Sequence, residues 1–219
     1  MSFGEPIALR GQAELDQVAP ATSGEARAIG EAQFIDRLRA GEAAAFDRLV
    51  RERSGEVYAL LYRLTNDAEE ARDLTQETFL RAFQHIDRFR GEADLKTWLY
   101  RIAINQARNR WRWWRRRRRD ATLSLDAPDG QHEQSLGSRL RSNSSADPEQ
   151  ETLARERGQA LAAALNTLGR PYREAVILRD VEGLSYEEIA AALEISVGTV
   201  KSRLSRGRME LRRKLESSL

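Results

Sequence analysis

The stretch DLKTWLYRIAINQARNRWRWWRRRRR, from Asp94 to Arg119, decides the fold of this chain. It predicts one amphipathic helix that runs into a block of arginines. Its apolar positions recur at steps of three and four residues, the spacing of a helix stripe that docks on a core: Leu95, Trp98, Leu99, Ile102, Ala103 and Ala107. The opposite face is polar or basic: Lys96, Tyr100, Arg101, Asn105, Arg108, Asn109 and Arg112.

Positive charge is concentrated around this helix. From Phe89 to Arg119 there are 11 basic and two acidic residues, a local net charge of +9, whereas the whole chain of 219 residues carries only +2. A basic helix that also carries exposed aromatic residues favours a polyanionic partner, above all a nucleic acid.

The composition excludes several kinds of chemistry. The chain has no cysteine and only two histidines, His85 and His132, so disulfides, thiolate metal sites and cysteine nucleophiles are excluded and a histidine metal site is not expected. No apolar run approaches the roughly 18 residues of a membrane helix, and no secretion signal is recognisable at the N-terminus. We therefore expect a cytoplasmic protein with no cofactor, no metal and no membrane insertion.

The pattern along the chain predicts an all-α protein, with two small helical domains joined by a flexible linker. Residues 1–30 lack any period and predict a disordered N-terminal extension. Residues 31–114 form the first predicted domain, residues 115–150 a basic and polar linker, and residues 151–219 the second domain.

The helix predicted over DAEEARDLTQETFLRAFQHI, from Asp67, has two distinct faces. Its core stripe is Ala71, Leu74, Thr75, Thr78, Ala82, Phe83 and Ile86. A second face joins acidic and amide groups to one leucine: Asp73, Gln76, Glu77, Leu80 and Gln84. This mixed face would suit a protein partner with basic residues, but a solvated surface with one stray leucine is the more common case. The carboxylates of this helix lie mostly on solvated or partner faces, so we expect no catalytic site and no enzyme.

The C-terminal domain carries a helix-turn-helix pattern. Ser185 and Glu188 have the spacing of a capping box that opens one helix, and Ser196 can cap the next. The outward residues of the second helix are polar or basic: Thr199, Lys201, Ser202, Ser205 and Arg206. From Ser196 onward there are seven basic and two acidic residues. A recognition helix in a DNA major groove is therefore predicted.

Three motifs together resemble one known family: DAEEARDLTQETFLRAF, DRFRGEADLKTWLYRIAINQARNR and GLSYEEIAAALEISVGTVKSRLSRGRMELR. They are similar to the extracytoplasmic-function (ECF) group of bacterial sigma factors, over about Glu31 to Trp114 and Glu151 to Leu219. The resemblance implies an alternative sigma factor that binds core RNA polymerase, at the clamp helices of the largest subunit and the flap region, and directs it to promoters. It also implies minus-ten and minus-thirty-five recognition, help with strand opening, and a cognate anti-sigma factor as a partner.

The resemblance also assigns roles to residues. It implies polymerase contacts at Asp73, Gln76, Glu77 and Leu80, against the solvated-surface interpretation. For the minus-ten element it implies that Phe89 and Asn105 surround a flipped base. Lys96, Arg101 and Arg108 would contact the DNA backbone. For the minus-thirty-five element it implies DNA contacts by residues of the second helix, which also exposes Thr199: Lys201, Ser202, Ser205 and Arg206. Arg179 is implied as a phosphate contact.

Three features depart from the family pattern. Leu168-Gly169-Arg170-Pro171 stands where Leu-Pro is usual, and neither the N-terminal extension nor Arg115 to Arg119 has an implied role. One hypothesis is that the arginines contact nascent RNA or template. The alternative function, a free-standing helix-turn-helix repressor, would require duplex DNA binding without polymerase, and residues 31–114 show no pattern typical of a ligand or phosphorylation domain. The promoters, the inducing signal and the identity of the anti-sigma factor do not follow from the sequence.

Overall fold

The computed structural model describes residues 30–91, 93–121, 158 and 161–216, and every regular element in these ranges is helical. The predicted extension, apart from Gly30, and the linker beyond Ala121 lie outside the described residues. Contacts between Cα atoms separate the chain into one unit up to Asp47 and a second from Arg48 onward.

In the first unit, helix α1 spans residues 30–39 and is followed by a turn at Gly41. The φ angle of Gly41 is +73°, a conformation that glycine adopts without steric cost. Arg37 Nε donates to Glu42 Oε2 across this turn at 2.7 Å.

In the described ranges, seven further helices follow the turn. They are α2 (Ala43–Thr65), α3 (Ala68–His85), α4 (Leu95–Ala121), α5 (161–167), α6 (Arg170–Val176), α7 (Tyr186–Leu193) and α8 (Val197–Glu216). A short 3₁₀ turn, Ile86–Arg88, follows α3, and a π-helical turn, Ile177–Val181, continues α6.

Side-chain caps start α3, α4 and α7. Asp67 Oδ1 accepts from the backbone N–H groups of Glu69 and Glu70 at 2.9 and 3.0 Å. Asp94 Oδ1 accepts from Lys96 N at 2.8 Å. The Ser185 and Glu188 capping box is complete. Since each cap satisfies N–H groups that have no partner inside the helix, these local signals fix the helix starts.

Helix α3 packs against α4. Its buried stripe contains Thr75 and Thr78, whose hydroxyls donate to the backbone oxygens of Ala71 and Leu74 at 2.6 and 2.7 Å. These bonds let two polar residues lie in a core. The prediction is wrong for one member of the stripe, Phe83, which is 52% exposed.

Helix α4 buries four members of its predicted stripe, Leu95, Trp98, Leu99 and Ala103, each at most 6% exposed. The other two, Ile102 and Ala107, are only half-buried, and Ile104, outside the predicted stripe, is fully buried. Two further findings differ from the sequence interpretation. Tyr100, assigned to the polar face, is 1% exposed. The helix also continues to Ala121, past the position after Trp114 where the linker was predicted to begin.

Helices α7 and α8 form the predicted helix-turn-helix, and α8 also packs against α6. The turn uses Glu194 in the left-handed conformation, with φ 57° and ψ 49°. Ser196 Oγ accepts from Thr199 N at 3.2 Å and caps α8. The all-α class with a C-terminal helix-turn-helix is confirmed, and α4 packs against α7 as well as α3.

Candidate polymerase and promoter interfaces

The four predicted polymerase contacts lie together on α3. Asp73, Gln76 and Leu80 are exposed and Glu77 is half-buried, with its Oε1 accepting from Arg81 Nε at 2.8 Å. Leu80 is 52% exposed. An exposed leucine three positions after Glu77 puts apolar and acidic contacts on one helix face.

This α3 face forms one wall of an open groove with a volume of about 950 Å³. The other wall is the C-terminal part of α4: Gln106, Asn109, Arg110, Arg112, Trp113 and Arg116. One wall is therefore acidic and the other basic and aromatic. Sequence reasoning missed this second wall, although the spacing of Asn109, Arg112, Trp113 and Arg116 places them on one helix face.

The tryptophans near the end of α4 are all partly exposed, with Trp111 and Trp114 at 47% and Trp113 at 44%. Arg115 lies over the Trp111 ring at 5.2 Å from its centroid, and Arg117 lies over Trp113 at 5.0 Å. These cation–π contacts hold large flat surfaces next to positive charge.

Glu70 connects this end of α4 to α3. The nearest cation is Arg110, whose Nε lies 3.9 Å from Glu70 Oε1. Burial raises the pKa of the Glu70 carboxyl above its ordinary value, against the opposing effects of Arg110 and of a hydrogen bond with Trp114. The Trp114 indole is thereby directed toward α3.

The predicted minus-ten residues do not share one environment. Phe89 is only 3% exposed, and its ring packs against Trp98 with centroids 5.4 Å apart. Arg101 and Asn105 are half-buried on α4. Lys96 Nζ lies 5.3 Å from the centroid of the Tyr100 ring and 3.9 Å from Glu56 Oε2.

An open cavity of about 790 Å³ lies beside this set. Phe89, Trp98 and Arg101 contribute to its lining, with Arg88 and Arg90 from the connection before α4. Aromatic surface and guanidinium groups together are the chemistry that holds an unstacked base and its phosphate.

Arg108 is paired within the chain. Its Nε donates to Glu174 Oε1 at 3.1 Å and its Nη2 to Oε2 at 2.6 Å, while Nη1 lies 3.5 Å from the Leu193 oxygen. The Glu174 side chain is 4% exposed. Arg170 Nε also donates to Glu174, at 3.1 Å.

The predicted recognition helix α8 exposes Lys201, Ser202, Ser205 and Arg206, and Thr199 is half-buried beside Ser196. Arg179, the predicted phosphate contact, donates to the Leu184 oxygen at 2.7 Å, and its guanidinium lies over Tyr186 at 4.9 Å. Lys201 Nζ lies 5.8 Å from the centroid of the same ring.

Gly207 fixes the distance between α8 and α6. A Cβ at this position would lie 2.9 Å from Val176 Cγ2 and 3.2 Å from Tyr172 Cβ. The two helices therefore approach at a point where only a hydrogen fits, and α8 is held with its basic residues outward. Arg208 of α8 also pairs with Asp180 of the π-helical turn that follows α6.

Among the described residues, no helix is long and apolar enough to cross a membrane. No cluster of three metal-ligating side chains occurs in these ranges either.

Comparison with known proteins assigns both halves of the chain. Residues 49–119 match the family model "Sigma-70 region 2", and residues 158–211 match "Sigma-70, region 4". The two matched regions correspond to two helical domains joined by a linker.

Curated relatives cover most of the chain. It is 35% identical over 188 residues to the RNA polymerase sigma-H factor of Pseudomonas aeruginosa, a match that covers 85% of this chain and 94% of the relative. It is also 35% identical over 183 residues to the ECF RNA polymerase sigma-E factor of Escherichia coli K12, covering 84% and 93%.

Two solved structures share the fold. One is the sigma factor RpoE in complex with the anti-sigma factor NepR from Bartonella quintana, with 30% identity and a TM-score of 0.58 over 78% of this chain and 96% of that one. The other is CnrH in complex with the cytosolic domain of CnrY, with 22% identity and a TM-score of 0.61 over 86% and 99% of the two chains. The comparisons do not support the alternative of a free-standing repressor. The chain belongs to the extracytoplasmic-function group of RNA polymerase sigma factors.

Proposed function

We propose that this chain recruits core RNA polymerase through the α3 face and reads promoters with α4 and α8. As a member of its family it is an alternative sigma factor, a transcription initiation factor rather than an enzyme. The observation that carries this function is the presence of both sigma regions in one chain, at residues 49–119 and 158–211. The protein would act in the cytoplasm, where polymerase and promoter DNA are found.

The polymerase interface comprises Asp73, Gln76, Glu77 and Leu80. A helix from the clamp of the largest polymerase subunit would lie on this face, with its basic residues toward the two carboxylates and an apolar residue on Leu80. The opposite groove wall, with Trp113, adds a large aromatic contact for the same helix. Partly exposed aromatic residues in a groove are the usual centres of binding energy.

The minus-ten interface comprises Phe89, Lys96, Arg101, Asn105 and Arg108. An opened strand would follow the basic side of α4, and the cavity beside Arg101 would receive an unstacked base. Phe89 and Trp98 are packed on each other and almost fully buried, so they would support the cavity from beneath. The guanidinium groups of Arg88, Arg90 and Arg101 in its lining would contact the strand.

The minus-thirty-five interface is the exposed face of α8, beginning at Thr199. Lys201, Ser202, Ser205 and Arg206 would enter the major groove, and Arg179 would contact a phosphate. Ser202 already donates to the Thr199 oxygen at 2.9 Å and would exchange this bond for a base or a phosphate. Each bidentate base contact would contribute about 1–3 kcal/mol of discrimination.

An anti-sigma factor is proposed as a further partner. Both structural relatives were solved with such a partner or with a cytosolic domain of another protein. The exposed acidic and basic faces on α3, α4 and α8 offer a complementary protein several charged surfaces to cover.

Run-off transcription with purified core polymerase tests the proposal. The wild-type chain should direct transcripts from a subset of templates that core enzyme alone does not use. The double variant Asp73→Arg with Glu77→Arg should lose co-elution with core, whereas the matched variant Glu52→Arg on the exposed part of α2 should retain it. Normal co-elution of the double variant would refute the α3 assignment, and no transcripts with wild-type protein would refute the function.

A further inference from the structure

One side of α4 continues past the residues proposed to bind the minus-ten element. Steps of three or four residues, which place side chains on one side of a helix, run on into its last turns: Arg101, Asn105, Arg108, Arg112, Arg115 and Arg116. The first three are half-buried and the last three are exposed. Arg112, Arg115 and Arg116 are called here the arginine arm. Because α4 is one unbroken helix from Leu95 to Ala121, the arm has a fixed position relative to Arg101.

The charge of the arginine arm is not neutralised by carboxylates of the described residues. Arg110, just before the arm, lies 3.9 Å from Glu70. No ion pair in the described part of the chain includes a member of the arm, and Arg112 donates to the neutral side chain of Asn109. Neighbouring guanidinium groups repel one another unless an anion lies beside them. The arm is therefore suited to a polyanion.

The tryptophans beside the arm favour contacts with phosphate over stacking of bases. Arg115 and Arg170 lie 5.2 and 4.8 Å from the centroid of the Trp111 ring. Arg117 lies 5.0 Å from the centroid of Trp113. Rings that hold guanidinium groups have less of their faces open to a base, and an arginine held on a ring loses less side-chain freedom when its fork binds a phosphate. The arm thus has the chemistry of a contact with a nucleic-acid backbone, which does not depend on base sequence.

The length of α4 indicates which backbone the arm would reach. Arg116 follows Arg101 by 15 positions, a rise of about 22 Å in an α-helix. At about 3.4 Å per base pair, this length corresponds to about six to seven base pairs of duplex DNA. The arm would therefore lie beyond a base held in the cavity beside Arg101. From the arm the chain continues to the domain proposed to read the minus-thirty-five element, so the duplex between the two elements is the nearest polyanion.

We propose that the arginine arm binds phosphates of the promoter duplex between the two recognition elements, next to the opened minus-ten segment. The inference rests on the proposed minus-ten role of α4. One rigid helix would then hold both sides of the junction between duplex and opened strands. Its contribution to affinity would be the same at every promoter that the chain uses.

The test uses holoenzyme assembled from core polymerase and the full chain. The probe is a fluorescent promoter fragment that wild-type holoenzyme selects from a randomised library, and anisotropy measures its binding over a series of salt concentrations. The arm variant carries Arg112→Gln, Arg115→Gln and Arg116→Gln, since glutamine keeps a helix propensity close to that of arginine. The control variant makes the same charge change at three exposed arginines of α1 and α2: Arg37→Gln, Arg48→Gln and Arg51→Gln.

The arm variant should bind the promoter more weakly and with a shallower salt dependence. Loss of three phosphate contacts would lower the slope of log affinity against log salt concentration by about 2–3, since each contact contributes about 0.9. The control variant should keep the wild-type slope. A second probe carries neutral methylphosphonate linkages in the duplex next to the minus-ten segment. It should weaken binding by wild-type holoenzyme and leave binding by the arm variant nearly unchanged, because the variant has no arm charges to pair with those phosphates.

A wild-type slope in the arm variant would overturn the inference. An equal loss of affinity by both proteins on the neutral probe would also overturn it, since the arm would then contact something other than those phosphates. Weaker association with core polymerase in the absence of DNA would assign the arm to the polymerase instead. A changed yield of short transcripts with normal promoter binding would assign it to nascent RNA, against the proposal.

Arg101→Gln distinguishes failure of the inference from failure of the proposed function. If this variant opens the promoter less well while the arm variant behaves as wild type, only the inference is wrong. If Arg101→Gln opens the promoter normally while the arm variant has the shallower slope, the duplex contact is supported and the minus-ten role of this side of α4 is wrong.

Discussion

Arg108 of α4 and Glu174 of α6 form a two-point ion pair, with N–O distances of 2.6 and 3.1 Å, although 66 positions separate them in the chain. Glu174 is almost fully buried and depends on Arg108 and Arg170 for its hydrogen bonds. The pair therefore links the stability of the folded chain to a residue proposed to bind DNA.

Replacing Arg108 by Ala should lower the free energy of unfolding by about 1–3 kcal/mol, because Glu174 would keep its buried charge with one partner fewer. Arg170 moderates the loss, since its own bond to Glu174 remains. Urea unfolding followed by circular dichroism measures the change. Arg112→Ala, an exposed position on the same helix, should stay within about 0.5 kcal/mol of wild type, and an equal loss in both variants would contradict the role of the pair.

Gly207→Ala should destabilise the contact between α6 and α8. The added methyl group would lie 2.9 Å from Val176 Cγ2, closer than packed carbons allow. Overpacking of this kind costs about 1–3 kcal/mol, and we expect weaker minus-thirty-five binding as α8 shifts. Gly198→Ala is the matched control on the same helix, because its nearest neighbour would be Ser196 Oγ at 3.9 Å. Equal urea midpoints for the two variants would show that α6 and α8 do not pack closely at Gly207.

Trp113→Ala should weaken association with core polymerase by about tenfold, the loss expected when a large aromatic contact is removed from an interface. Trp114→Ala provides the comparison, because Trp114 has similar exposure but does not line the groove beside Asp73. Affinity is measured with labelled core enzyme in the absence of DNA. If core affinity is unchanged and only promoter binding falls, the α4 wall serves DNA and the two-walled polymerase site is wrong.

The capping box predicts an acid-sensitive start of α7. Hydrogen bonds from Ser185 hold the pKa of Glu188 below its ordinary value of 4.5. A carboxyl with a lowered folded pKa stabilises the fold above its unfolded pKa, and this contribution disappears as the pH falls through the folded value. Glu188→Ala should therefore destabilise the fold at neutral pH, because it removes the carboxylate that accepts from Ser185 N at 2.7 Å, and it should cost less at acidic pH, where protonation has already weakened this bond in wild type. Thermal unfolding at both pH values measures this, and a deficit that grows in acid would contradict it.

Local features of the fold could be predicted from the sequence. The caps at Ser185 and Ser196 form as predicted, because each depends on a residue three positions away. Four of the six predicted members of the inner stripe of α4 are also buried, because helical spacing places them on one face. Family resemblance supplied the sigma-factor function that spacing could not provide.

Features that depend on distant partners could not be predicted. Tyr100 has the spacing of an outer residue, yet it is buried because Glu182, 82 positions later, accepts its hydrogen bond. Phe83 has the spacing of the apolar stripe of α3 and is nevertheless half-exposed. The face of α3 that packs on α4 is narrower than this stripe. The arginines after Trp114 have the composition of a linker, but α4 continues through them to Ala121.

Transcription of a randomised promoter library by purified core polymerase and this chain tests the central claim most directly. Active templates should share two sequence blocks, and the double variant Lys201→Ala with Arg206→Ala should relax only the upstream block and flatten the salt dependence of promoter binding, because fewer counterions are released. Active templates without any shared block, or the same templates used by core enzyme alone, would contradict the assignment of this chain as a promoter-selecting sigma factor.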